Sequence, residues 1–286
     1  MTRLVGIFGY PLSHSLSPAI QQAAFDYHNI DAVYQAWQTP PEELGSGVAK
    51  LREDQYLGAN VTIPHKVKVM QHLDRIDRMA ADIGAVNTIV KEDGELVGYN
   101  TDAYGFIKSL KDCSGLDPRG KRALLLGAGG AARAAAYALA KEGIARLTIA
   151  NRTLSRAESL ADEIKNLLPD VQAIATAEPG LIEAAQNADL IVNATSTGMR
   201  HSESEGQTML TTGAIPPSAV VYDMVYNPPE TPLTAEARRA GATVVGGLSM
   251  LIHQGAAAFQ LWTGKEAPIS VMMAAGKKAL SQMVSS

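Results

Sequence analysis

The sequence predicts an α/β fold in two domains, the second built on a doubly wound parallel sheet. Three observations predict it. Short apolar, β-branched runs alternate with helix-length segments along most of the chain. The length of 286 residues accommodates two domains at roughly 150 residues each. An apolar strand at 123–126 runs directly into a glycine turn and an alanine-rich helix, the opening unit of such a sheet.

In the first half, strands are expected at 4–8, 32–37 and 59–63. Ser17 reads as a helix N-cap, with Pro18 at the first helical position. A hairpin follows, 86–91 against 95–99, turning at Glu92-Asp93-Gly94. The second half predicts strands at 123–126, 146–150, 171–175, 190–193, 220–224 and 243–245, with helices between most of them. The polar loop 200–207 reads as unstructured. From about Leu248 the chain reads as two helices broken near 264–268. They come after the last strand and are free to pack back on the first domain. The boundaries follow: residues 1–102, completed by 250–286, and residues 103–249.

Composition narrows the function. Apolar residues make up 46% and charged residues 19%, as in ordinary globular proteins. A net charge of −4 offers no basic face for nucleic acid. The N-terminal run is broken by Gly6, Gly9 and Pro11, unlike a secretory signal. No apolar run approaches the roughly 18 residues of a membrane span. Cys113 is the one cysteine, so no disulfide can form within the chain. A cytoplasmic protein without nucleic-acid or membrane partners is expected, with monomer and homodimer both open. Asn60-Val-Thr62, Asn151-Arg-Thr153 and Asn193-Ala-Thr195 match the glycosylation pattern. Without a secretory signal they read as coincidence or function. The six histidines show no metal-ligand spacing, and no metal is expected. His14 and His65 adjoin candidate site residues, where ligand contact and neutral packing are both open.

The turn Gly127-Ala128-Gly129-Gly130-Ala131-Ala132 is a dinucleotide fingerprint with alanine in the third glycine position. Gly127 allows the tight turn, Gly129 the approach of a pyrophosphate, and Ala132 close helix–strand packing. The free N–H groups and dipole of the helix start favour phosphate. After the next strand, an NAD site calls for a carboxylate that binds the ribose 2′-hydroxyl. Here Asn151, Arg152, Thr153 and Arg156 stand instead. The two arginines are read as one helical turn apart and able to share a 2′-phosphate. This favours NADP(H) over NAD(H). A second glycine-containing stretch, 115–122, fits most of a phosphate-binding loop. It has Arg122 where Ser or Thr belongs and precedes a strand, so it is rejected.

Asn60-Val-Thr62-Ile-Pro64-His65-Lys66 closes a predicted strand and turns at Pro64. Polar groups at such strand ends face the crevice where open α/β sheets bind ligands. Asn100-Thr101-Asp102 lies where a helix begins. Lys66 and Asp102 each have a bland reading as well, as surface lysine and N-cap aspartate. Ser15 has no His/Asp constellation around it, so binding suits it better than nucleophilic attack.

Long motifs stand in order along the chain. The first half carries Gly9-Tyr-Pro-Leu-Ser-His-Ser15-Leu-Ser17-Pro18, Asn60-Val-Thr-Ile-Pro-His-Lys66, Gly84-Ala-Val-Asn87-Thr and Asn100-Thr-Asp102. The second carries Gly127-Ala-Gly-Gly-Ala-Ala132, Asn151-Arg-Thr153, Asn193-Ala-Thr195, Tyr222-Asp-Met-Val-Tyr226 and Gly246-Gly-Leu-Ser-Met250 with His253-Gln254-Gly255. In order and spacing the chain resembles the shikimate dehydrogenases from about residue 5 to Gly264. Tyr99 departs from the phenylalanine of many relatives, with little consequence.

The resemblance implies an α/β substrate domain, a Rossmann-type NADP-binding domain, and NADPH-dependent reduction of 3-dehydroshikimate to shikimate, a step of aromatic amino-acid and chorismate biosynthesis. By position, Ser15 and Ser17 correspond to donors to the substrate carboxylate. Asn60, Thr62, Asn87, Asp102, Tyr226 and Gln254 correspond to its other contacts. Lys66 and Asp102 resemble the family's catalytic pair. Met224 and Gly247 match contacts to the nicotinamide half, and Gly127, Ala128, Gly129, Gly130, Ala131, Asn151, Arg152, Thr153 and Arg156 those to phosphates and adenosine. The chemistry agrees, since carbonyl reduction needs a proton donor or positive charge at the oxygen. A quinate/shikimate enzyme using NAD and a silent NADP-binding sensor are the competing readings.

Overall fold

The structure is a computed structural model describing residues 2–12 and 15–285, with side chains through 283. It divides into two compact units, one of Met1–Gly105 with Leu251–Ser286, the other of Phe106–Met250.

In the first unit, β1 (Arg3–Gly9), α1 (Ser17–Tyr27), β2 (Ala32–Gln38), α2 (Leu44–Lys50) and β3 (Tyr56–Val61) come first, with β2 and β3 each parallel to β1. Then come β4 (Arg75–Ile76), α3 (Arg78–Ile83), β5 (Thr88–Glu92), β6 (Glu95–Tyr99) and α4 (Asp102–Ser114), whose first turn belongs here. The strand order is β2-β1-β3-β5-β6-β4. The expected hairpin is present, and β5 also runs antiparallel to β3, so this sheet is mixed. The two-residue strand β4 was not expected. Its pattern is one exposed and one half-buried residue, too short to show a period.

One face of the sheet buries Phe8, Ala59, Val61, Ile89 and Leu96 against Leu44 and Val48 of α2 and Ala80 of α3. Ser17 is not the cap of α1. Leu16 holds the N-cap position without a side-chain bond, and the Ser17 N–H donates instead to Ser15 Oγ at 3.3 Å.

The second unit takes the rest of α4 and then alternates strictly: β7 (Arg122–Leu126), α5 (Gly130–Lys141), β8 (Arg146–Asn151), α6 (Leu154–Ile164) and β9 (Val171–Ala175). It continues through α7 (Gly180–Gln186), β10 (Leu190–Asn193), β11 (Val220–Asp223), α8 (Pro232–Arg239) and β12 (Thr243–Gly246). All six strands are parallel in the order β12-β11-β10-β7-β8-β9. This is the doubly wound arrangement, with its switch point between β7 and β10. Leu124, Leu126, Ile191 and Val221 pack beneath Leu181, Ala185, Leu233 and Ala237. The loop at 200–207 is not unstructured. Ser202 Oγ donates to Met199 O at 2.7 Å, and the His201 and Arg200 amides donate to Glu205 and to Asn227 O.

The chain returns to the first unit along α9 (Leu248–Thr263) and ends in α10 (Ile269–Ser285). Phe259 packs on Phe25 at a centroid distance of 5.3 Å, and Trp262 Nε1 donates to Ile89 O at 2.9 Å. α10 lies along α1. The C-terminal helices thus belong to the first unit. Among the described residues no helix is long and apolar enough to cross a membrane.

Candidate active site

In the first unit, three backbone devices aim the polar residues. The Lys66 carbonyl accepts the Val86 N–H at 2.8 Å, tying the turn after β3 to the residue before Asn87. Asn100 Oδ1 accepts the N–H groups of Asp102 and Ala103 at 3.0 and 3.3 Å, so Asn100 organises the start of α4 and presents Asp102 from its first turn. Gln254 Nε2 donates to Leu251 O at 2.8 Å, which leaves its Oε1 facing Asn87.

Lys66 Nζ donates to Asp102 Oδ2 at 2.6 Å, with the two side chains 13% and 5% exposed. Asp102 Oδ1 accepts from Asn87 Nδ2 at 2.9 Å. The same amide nitrogen reaches Thr101 Oγ1 at 2.9 Å and Gln254 Oε1 at 3.2 Å, while Asn87 Oδ1 accepts the Thr101 N–H at 2.8 Å. Lys66, Asp102, Asn87 and Gln254 are therefore one connected cluster. Such a desolvated ammonium–carboxylate pair is costly to form and is retained where its charge serves a purpose.

Asn60 is buried and fully engaged as a donor, to Asn87 O at 3.2 Å and Thr88 Oγ1 at 3.1 Å. It can meet a ligand only as an acceptor. Its Oδ1 accepts from Tyr34 OH at 2.7 Å, a partner that sequence reasoning missed. Burial pushes the Tyr34 phenol well above its ordinary value, opposed by a hydrogen bond with Ser17. Ser17, Tyr34 and Asn60 thus meet. Thr62 and Ser15 are half-buried, and among the described residues neither makes a side-chain bond to the Lys66 cluster. His65 is fully buried, with Nε2 on Thr39 O at 2.7 Å, so it packs beneath the turn. His14 lies outside the described residues.

In the second unit the glycine turn leaves β7 at the switch point. Gly127 has φ +111°, and a Cβ there would lie 3.0 Å from Thr195 Cγ2 and 3.1 Å from Ala194 O. Gly129 is different: it is the N-cap of α5, and a Cβ on it would meet nothing within 4 Å. No side chain caps α5, so its first N–H groups face open space with the helix dipole behind them. Ala132 is fully buried, allowing close helix–strand approach. Ala128, Gly130 and Ala131 are half-buried along the same turn.

Asn151 Nδ2 donates to Thr153 O at 2.9 Å and shapes the loop after β8. Arg152 and Arg156 are not one helical turn apart, because α6 begins at Leu154 with Thr153 as N-cap and Arg152 lies outside the helix. Both are exposed and neither forms an ion pair among the described residues. By contrast Arg133, on α5, is paired with Glu163. Gly247 fits only as glycine, since a Cβ would lie 2.2 Å from Met224 O. Tyr226 is half-buried just beyond Met224. Cys113 lies in the last turn of α4 and is exposed.

These residues fit a dinucleotide carrying an extra phosphate: bare space over Gly129, an uncapped helix start, and two unpaired cations at the next strand end. Fold and site define a dinucleotide-binding α/β protein joined to a unit with a shielded lysine–aspartate pair.

The shikimate dehydrogenase substrate-binding-domain profile matches residues 7–89, the shikimate/quinate 5-dehydrogenase profile residues 111–215, and the shikimate 5′-dehydrogenase C-terminal profile residues 247–275. The NADP(+) shikimate dehydrogenase of Moorella thermoacetica is 48% identical over 272 residues, covering 95% of this chain and 91% of that protein. Shikimate 5-dehydrogenase from Thermus thermophilus, solved with NADP(H) and shikimate, superposes with a TM-score of 0.86 at 39% identity, covering 97% and 100% of the two chains. Quinate dehydrogenase from Corynebacterium glutamicum, solved with NAD, gives a TM-score of 0.88 at 31% identity, covering 97% and 99%. The chain belongs to the shikimate dehydrogenase family.

Proposed function

We propose that this chain reversibly reduces 3-dehydroshikimate to shikimate with NADPH, in the cytoplasm, as a step of aromatic amino-acid biosynthesis. The observation that carries the reading is the 2.6 Å Lys66–Asp102 pair, shielded from water in the unit matched by the substrate-binding profile. NADPH, when bound, supplies the hydride. The protein's own task is the proton. Lys66 Nζ donates it to the carbonyl oxygen during reduction and takes it back from the hydroxyl during oxidation. Asp102 holds the ammonium in place and accepts from a substrate hydroxyl. Asn87 and Gln254 fix Asp102 and offer further polar contacts. Ser15 and Ser17 receive the carboxylate, with Asn60 and Thr62 beside them.

For the cofactor, Gly127 to Ala131 and the start of α5 would hold the pyrophosphate. Asn151, Arg152, Thr153 and Arg156 would hold the adenosine ribose and its 2′-phosphate, and Met224 and Gly247 the nicotinamide half.

The test is absorbance at the reduced-nicotinamide band with shikimate and quinate crossed against NADP+ and NAD+. Turnover of shikimate with NADP+ is expected. Silence in all four combinations while NADP+ still binds would leave a sensor. Turnover of quinate as well would extend the substrate range, a reading supported by the likeness to the quinate dehydrogenase.

A further inference from the structure

The carboxyl edge of the second sheet holds a buried carboxylate that the chemistry above does not use. Asp223, the last residue of β11, is fully buried. Desolvation pushes its carboxyl above the usual carboxylate range, and hydrogen bonds from Thr231, Val225 and Asn193 oppose that rise. Thr231 Oγ1 donates to Oδ2 at 2.6 Å; Asn193 Nδ2 and the Val225 N–H donate to Oδ1 at 2.9 and 3.0 Å. A carboxylate taken out of water is tolerated only with such partners, and losing them is costly.

Asn193 passes the restraint onward. It faces Asp223 in register on one side and Leu126, the residue before the glycine turn, on the other. Its Oδ1 accepts both the N–H and the hydroxyl of Thr195, at 3.1 and 2.6 Å. Thr195 Oγ1 in turn accepts the Thr197 N–H at 3.1 Å. Thr195 Cγ2 and Ala194 O are the atoms that a Cβ on Gly127 would meet. On the other flank, the bond to the Val225 N–H fixes the peptide after Met224, whose carbonyl abuts Gly247.

We propose that Asp223 is a positioning residue for the dinucleotide: through Asn193 it sets the 194–198 loop behind Gly127, and through Val225 it sets the Met224–Gly247 contact. The proposal rests on the NADP reading above. Asp223 is fully buried and acts through its partners on both ends of the cofactor's bed at once.

The experiment is titration of the purified full-length chain with NADP+ and separately with shikimate, by calorimetry, alongside a melting curve. Asp223→Ala should raise the NADP+ dissociation constant about tenfold or more, the loss of a charge-assisted bond network, and leave shikimate affinity within about twofold. Asp223→Asn keeps an acceptor toward Asn193 and Val225 and should restore most of the affinity. Thr195→Val leaves every bond of Asp223 intact but cuts the relay, and should weaken NADP+ severalfold; it decides alone if Asp223→Ala does not fold. Unchanged NADP+ affinity in Thr195→Val and in folded Asp223→Ala overturns the proposal, as does equal weakening of both ligands. Failure of the wild-type chain to bind NADP+ overturns the functional reading together with it.

Discussion

The Lys66 ammonium donates to one oxygen of Asp102 at 2.6 Å, and the other oxygen of that carboxylate accepts from Asn87 at 2.9 Å. The pair is held from both sides, so a proton on Lys66 has a defined position before any substrate arrives. Lys66→Ala should therefore lower kcat about a hundred- to ten-thousand-fold, the usual worth of a placed acid–base group. Its NADP+ affinity, read by titration, should not change. Full turnover in a folded variant would remove Lys66 from the reaction.

Arg152 and Arg156 are exposed cations at the end of β8 without ion-pair partners among the described residues. Each changed to Ala should raise the KM for NADP+ about tenfold, the cost of a charge-assisted phosphate contact. The KM for NAD+ should stay level. Added salt should weaken NADP+ binding in the wild type more than in the double variant, because exposed charges are screened. Equal losses with both cofactors would refute the 2′-phosphate assignment.

Gly127 and Gly129 should fail in opposite ways. Gly127→Ala places a Cβ at φ +111° within 3.0 Å of Thr195, and should cost about 1–3 kcal/mol of stability. Gly129→Val points its side chain into open space, so melting should fall only by the small cost of a poorer N-cap residue while NADP+ binding collapses. Paired melting and titration curves check both, and a stable Gly129→Val that binds normally would contradict the phosphate bed.

Asp74 supplies a pH signature. Arg52 makes two 2.8 Å bonds to it and the Leu96 N–H a third, and these hold its carboxyl down at about 2. A depressed carboxylate contributes stability above its unfolded value of about 3.9, and that contribution is lost as pH falls through the folded value. Melting temperature should thus drop between roughly pH 4 and 2 more steeply in the wild type than in Asp74→Asn. The two curves should converge at high salt, since the pair is at the surface. Parallel curves at low salt would mean that Asp74 contributes nothing.

Much of this was legible in the chain itself. Two strands of the second sheet, Val171–Ala175 and Leu190–Asn193, lie where the apolar runs place them. Several others differ by a single residue, such as Arg146–Asn151 against the expected 146–150. Parallel strands covered on both faces read as continuous β-branched runs, a local signal that needs no tertiary knowledge. The glycine turn, the arginines after β8 and the residues Lys66 and Asp102 are likewise visible as residue types at strand ends.

What stayed hidden depends on partners distant in sequence. Ser17 looks like a cap until the fold gives its amide to Ser15, and Arg152 looks helical until α6 starts two residues later. Tyr34, Asn193 and Asp223 are polar strand residues whose partners lie up to 30 residues away, and only the packing of the strands brings them together. The sequence by itself determined the alternation of elements, the dinucleotide turn and the kinds of chemistry present, because those depend on period and local backbone preference. Tertiary structure alone decided which buried polar groups satisfy one another. A buried donor or acceptor must find its partner wherever packing puts one, and no local pattern records that choice.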